Sequence, residues 1–289
     1  MTIGIGFKCD DGILLAADTQ YTKGAYKGHG PKIFPLFNGL GLGQERSDLS
    51  VVIAGSGRVA FMTRAIEKLE PALGSLTDPT FGDIQHVLEE ELLDFYETYI
   101  YPKPDSSRER EERYGFELLI GVWAKAEPSK FQLFKSEDVT VNKVQGKAAI
   151  GMGFSVADYA LDLMHQYPLS VDGTIFPAAL AIKAAKDHVD YCGGHTIMWT
   201  IRGDAKPRRV QRVSGDEVLE AEEYSEEMFE AVRDLVAFIE PETISVGISD
   251  PAQKIMDFKH KQQERRAKRE RMLQRIAENK AKRQGHGSE

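Results

Sequence analysis

Cysteine is scarce in this chain: Cys9 and Cys192 are the only two among 289 residues. Two thiols are too few for a disulfide framework. No apolar run approaches the ~20 residues that a membrane-spanning helix needs. The start lacks a basic segment followed by an apolar one, so no secretory signal is expected, and a reducing, cytoplasmic setting is. No group of His, Cys and Asp carries metal-ligand spacing, so neither a metal site nor a cofactor is expected. A dinucleotide fingerprint is missing as well. The stretch Gly-Leu-Gly-Leu-Gly-Gln at 39–44 has neither the spacing nor the strand-to-helix context of a phosphate cradle, and reads as a flexible loop. No internal repeat is visible.

What is present describes a folded domain with a tail. Hydrophobic residues make up 42% and charged residues 28%, a globular balance rather than a disordered one. The net charge of -8 is unevenly spread. Residues 250–289 hold 12 Lys/Arg and 6 Asp/Glu, and the acidic excess lies entirely in the body. A domain over 2–249 and a basic extension over 250–289 follow. Asp250-Pro251 is a good helix start, and charges of both signs interleave beyond it. That pattern argues against nucleic acid and for a solvated helix reaching a neighbouring subunit.

Strands and helices come in blocks. Residues 3–8 alternate as a half-buried strand, Asp11-Gly12 makes a hairpin turn, and Ile13–Asp18 returns apolar on both faces, as a central strand does. Residues 32–37 and 49–57 are two more strands. The spacing of Val59, Met62, Ile66 and Leu69 predicts a helix over 58–73. Asp78 and Pro79 look like the start of a second helix running to 100. Residues 102–115 are a charged loop. Strands follow over 116–124, 130–136 and 139–153. Helices are predicted over 155–167 and 174–192, the latter starting near Pro177. Strands at 193–203 and 208–214 and a helix over 222–239 complete the body. Strand blocks alternating with helix pairs indicate packed sheets with helices outside.

Four stretches carry a resemblance. Thr2–Tyr26 is a hairpin led by threonine and closed by Ala16-Ala17-Asp18. Lys32 opens the strand 32–37. Val51–Gly57 ends in Gly-Ser-Gly. Ala181–Ile201 is a helix, Gly193-Gly194, then a strand. Together with the glycine-rich start of the 155–167 helix, they resemble a β-type proteasome subunit and its relatives among the N-terminal-nucleophile hydrolases, over roughly residues 2–210. The resemblance implies an α+β fold, a four-layer αββα sandwich of two antiparallel sheets with outer helices. It also implies a threonine peptidase in a homo-oligomeric ring, acting on peptides or unfolded protein, with an unfoldase as a further partner. No cofactor is implied.

The chemistry accounts for a nucleophile at the second residue. A hydroxyl needs a base, and the α-amine of a terminal threonine, exposed by loss of Met1, has a pKa of about 7.7–8, near the operating pH. Residue by residue, Thr2 matches the nucleophile, Asp18 the aspartate paired with the active-site lysine, and Lys32 that lysine. The Gly55 amide matches the oxyanion donor. Departures lie in the other half of the site. Val189 stands where the family has an aspartate, between Asp187 and Asp190. Cys192, Met152 and Phe154 stand where it has serines, and Gln20 replaces an arginine. Asp190 and Cys192 are the candidate auxiliaries. Two alternatives follow: a scaffold subunit that has lost turnover, and an amidase that keeps the nucleophile but acts on a small amide.

Overall fold

The computed structural model describes residues 3–23, 26–37, 46–106, 114–164, 170–203 and 209–239, and the single positions 260, 264, 267, 271 and 274. The flexible loop expected at 39–44, part of the charged loop, and the 249/250 boundary lie outside these residues.

Two antiparallel five-stranded sheets dominate. The first has the order β10-β1-β2-β11-β12, with β1 at Gly4–Lys8, β2 at Gly12–Asp18, β10 at Lys147–Ile150, β11 at Thr196–Arg202 and β12 at Val210–Arg212. The second has the order β5-β6-β7-β8-β9, with β5 at Ile33–Leu36, β6 at Leu49–Gly57, β7 at Phe116–Ala124, β8 at Phe131–Glu137 and β9 at Thr140–Val144. Gln20–Lys23 (β3) and Tyr26–His29 (β4) form a two-stranded ribbon that the sequence reading did not anticipate.

The strand period of two explains how the sheets are covered. On β6, Val52 and Ala54 join Ile13, Leu15 and Ala17 of β2 in one apolar layer between the sheets. Their neighbours Val51 and Ile53 instead meet Met62, Leu69, Leu88 and Phe95, which lie on helices α1 (Val59–Ser75) and α2 (Phe81–Tyr99). On β7, Leu119 and Trp123 turn inward, while Leu118, Ile120 and Val122 turn to the helices. β2 is buried along its whole length, as its unbroken apolar run requires. Helices α3 (Phe154–Met164) and α4 (Val171–His188) pack against β10, β1 and β2. The chain is thus α+β with antiparallel sheets and five helices among the described residues. The fifth, α5, spans Gly215–Ile239.

Helix starts differ from the expected ones because side-chain capping decides them. The cap of α2 is Thr80, not Asp78. The Thr80 hydroxyl accepts the Asp83 amide, and the Asp83 carboxylate accepts the Thr80 amide. Asp78 sits at φ 44°, its amide donating to Asp48. α4 starts at Val171, capped by Ser170, well before Pro177. Its proline therefore lies inside the helix, at the loss of one backbone bond. α5 begins at Gly215 behind Ser214, seven residues before the expected Glu222.

Two devices finish the elements. The free edge of β9 is occupied by α2: Gln85 donates to the Val141 carbonyl at 2.8 Å, and Glu89 accepts the Val141 amide at 3.1 Å. The end of α1 is held by Arg46. Its guanidinium donates to the carbonyls of Leu73, Gly74 and Leu76 while gripping Asp48 through both carboxylate oxygens.

The contacts divide the chain into two units, Met1–Val218 and Leu219–Glu289. In the second, the described tail positions 260, 264, 267, 271 and 274 are helical. His260 Nε2 lies 3.4 Å from Glu264 Oε1, one turn on.

The Arg46 clamp makes a prediction. Its hydrogen bonds hold the Asp48 carboxyl down at about 2, against an ordinary 3.8, with the Asp78 amide assisting. That stability is present above pH 3.8 and lost as pH falls through about 2. Arg46→Ala should lower urea stability at pH 7 by about 2–3 kcal/mol, the scale of hydrogen bonds to a charged group. It should also flatten the acid limb of a stability-versus-pH curve between pH 4 and 2.

Candidate active site around Asp18 and Lys32

β2 ends in Asp18 and β5 begins just after Lys32, so the two residues belong to opposite sheets. Lys32 Nζ lies 2.6 Å from Asp18 Oδ1, with side chains only 1% and 0% exposed. The ion pair is therefore interior, and its remaining valences must be met locally. Asp18 Oδ1 also accepts the Ile3 amide at 3.2 Å, and Oδ2 accepts the Gly193 amide at 2.9 Å. Lys32 donates to the Gln20 carbonyl and lies 5.2 Å from the Tyr21 ring centroid. Burial pushes the Lys32 ammonium below its ordinary pKa, while the Asp18 charge works the other way.

Gly55 lies beside this pair. Its amide donates to the Lys32 carbonyl at 2.9 Å, which commits it to strand pairing in this conformation. A Cβ there would stand 2.3 Å from Met62 Sδ, so any larger residue would require the Met62 side chain to shift. Thr2 lies outside the described residues. Its neighbour Ile3 is tied to Asp18 in both directions, because the Ile3 carbonyl also accepts the Asp18 amide at 3.3 Å.

Cys192 is buried close to the pair. Burial, reinforced by the Asp18 charge, pushes its thiol up to about 11, against the opposing Lys32, so it is a neutral thiol at neutral pH. Gly153 is wedged next to it: a Cβ would lie 3.0 Å from Cys192 Sγ and 3.1 Å from Ile3 Cβ. The residues flanking Gly153, Met152 and Phe154, are 49% and 50% exposed. Val189 ends α4 with extended backbone, and Asp187 is taken by Lys183 at 2.7 Å. Asp190 is exposed, and it is its backbone carbonyl that meets the site, accepting Lys27 Nζ at 3.3 Å and Gln20 Nε2 at 3.5 Å.

The fold thus gathers Asp18, Lys32, Gly55 and Cys192. Sequence reasoning noted Gln20 only as a replaced arginine, and gave no role to Gly193 or Thr19. The Thr19 hydroxyl accepts the His195 amide at 2.9 Å. Most of these contacts run through backbone atoms, which leave no mark on residue type. Among the described residues no group of His, Cys, Asp and Glu could hold a metal ion, and no helix is long and apolar enough to cross a membrane.

The burial of the pair fixes an expected outcome. Lys32→Met strands the Asp18 charge and should cost ~3–5 kcal/mol in urea denaturation, and Asp18→Asn in the same chain should recover part of the loss. A single-variant cost below ~1 kcal/mol would mean that the pair behaves as a solvated surface bridge.

No protein-family model and no curated protein matches the chain. Solved structures do. Anbu from Hyphomicrobium sp. strain MC1 aligns with a TM-score of 0.63 at 14% identity, over 84% of this chain and 100% of that one. Anbu, an ancestral beta-subunit, from Yersinia bercovieri aligns at 0.63 and 12%, over 85% and 100%. The helical assembly of the Anbu complex from Pseudomonas aeruginosa aligns at 0.64 and 12%, over 86% and 98%. This corrects the family drawn from the sequence. The solved structures that the chain resembles are Anbu proteins, one of them described as an ancestral beta-subunit, in place of the β-type proteasome subunit or N-terminal-nucleophile hydrolase expected. At such identities the likeness establishes the fold.

Proposed function

We propose that the chain is a proteasome-like, Anbu-type subunit that assembles with itself and cleaves peptide bonds through Thr2 after loss of Met1. The observation that carries this reading is the buried Asp18–Lys32 pair hydrogen-bonded to Ile3, one residue from the threonine. The Thr2 hydroxyl attacks the peptide carbonyl as the α-amine takes its proton. The leaving amine departs with that proton, an ester remains on Thr2, and water hydrolyses it. Lys32 contributes a fixed positive charge that favours the deprotonated amine.

The stacking of α1 and α2 on one sheet, and of α3 and α4 on the other, supports a four-layer αββα reading. Self-assembly draws on a neighbour described as a helical assembly. A cytoplasmic setting suits the two free cysteines.

The reading also includes weakness. Gly55 can bind an oxyanion only if its bond to the Lys32 carbonyl opens or is shared. Met152 and Phe154 supply no hydroxyl, and the Cys192 thiol is held neutral. Those same features favour the second reading, a scaffold subunit without turnover. Intact mass with and without a peptide electrophile separates the two. The peptidase reading expects a chain beginning at Thr2 that gains one adduct, and Thr2→Ala abolishing it. It also expects turnover slower than acylation by roughly 10²-fold or more, the scale of a missing polar contact. Asp190→Asn should leave hydrolysis unchanged, because it is the Asp190 backbone carbonyl that meets the site, and so should Asp187→Asn, whose carboxylate is already engaged with Lys183. Retention of Met1 on natively expressed protein, or an unchanged rate in Thr2→Ala, would sink it.

A further inference from the structure

Gln20 opens β3, two residues after Asp18, and is 6% exposed. Its backbone carbonyl accepts the Lys32 ammonium, and its amide donates to the Gly193 carbonyl at 3.1 Å. Gly193 in turn donates to Asp18 Oδ2 at 2.9 Å. The contacts therefore close a ring: Lys32 to Asp18, Asp18 to Gly193, Gly193 to Gln20, and Gln20 back to Lys32. The Gln20 side-chain amide is packed against Gly193 of this ring, since a Cβ on Gly193 would stand 2.5 Å from Gln20 Oε1. Its Nε2 reaches the Asp190 carbonyl at 3.5 Å, and Lys27 of β4 reaches the same oxygen at 3.3 Å. Two donors from the ribbon thus converge on one backbone acceptor, three residues before the glycine that holds Asp18. At the adjacent position, Val189, the chain has no charge with which to anchor the end of α4.

We infer that Gln20 is a positioning residue: its side chain, with Lys27, docks the turn after α4 onto the ion pair and keeps Lys32 dry and aimed at Asp18. It acts through Lys32. Only its catalytic consequence rests on the peptidase reading above.

Among the described residues, the groups that face Lys32 are Asp18 from β2, Tyr21 from β3 and Cys192 from the turn. Burial pushes the Tyr21 phenol up to about 12 and the Cys192 thiol up to about 11, so both are neutral below pH 10. Burial is also the larger influence on Lys32, and it lowers its pKa. Releasing the turn admits water, so the Lys32 pKa should rise toward its ordinary 10.5.

The test uses Gln20→Met, which keeps the length but lacks the donor, and Gln20→Asn, which keeps the amide but cannot reach. Neither alters the charge. The full-length chain with isotope-labelled lysine side chains is titrated by NMR, the Lys32 signal being assigned with Lys32→Met. The pH profile of capture by a peptide electrophile is recorded alongside melting. Both variants should shift the Lys32 titration upward and slow capture at neutral pH, by up to ~10²-fold, the scale of a small misplacement. If Gln20→Met fails to fold, Gln20→Asn carries the comparison. A folded variant that melts lower but leaves the Lys32 titration unmoved overturns the inference, since Gln20 would then be a packing residue only. A shifted titration in a protein that captures no electrophile upholds it and removes the peptidase reading instead.

Discussion

A lysine and an aspartate buried against each other constrain this molecule more than any other contact. Withdrawing two charges from water is costly, and their attraction offsets that cost only when the other lone pairs and protons are also met. Asp18 and Lys32 belong to different sheets, and their remaining partners come from the start of β1, the start of β3 and the turn before β11. Four stretches of chain, at Ile3, Asp18–Gln20, Lys32 and Gly193, must arrive at one point for the pair to be tolerated. The end of the two sheets where Ile3 lies is therefore specified by electrostatics, whereas the layer between them is specified by apolar area.

That division explains what the sequence disclosed. β2, β6 and β7 were legible as short, nearly unbroken apolar runs, because both of their faces are buried, one toward the other sheet and one toward helices. The body of each helix was legible from the spacing of residues such as Met62, Ile66 and Leu69. Thr80, Ser170 and Ser214 were not identified as caps, because each competes with other polar residues nearby and only the geometry selects one. The β3–β4 ribbon, with no apolar face to bury, gave no periodic signal.

The site was half legible for a similar reason. Asp18 and Lys32 were marked by the resemblance, not by residue type or strand position, and the structure brings them within 2.6 Å. The engagement of the Gly55 amide by Lys32, and the use of the Asp190 carbonyl rather than its carboxylate, are backbone events invisible in residue type. The family was not legible: the solved structures that the chain resembles are Anbu proteins, and at 12–14% identity the fold is what the likeness shows.

The side chains of Gln85 and Glu89 on the rim of β9 have a bearing on how copies of the chain can meet. A strand rim ordinarily invites another strand, because its amides and carbonyls are unspent. Here the Val141 groups are already spent on a helix of the same molecule, so a neighbour's strand laid along that rim would have to displace Gln85 and Glu89 before it could pair at that position.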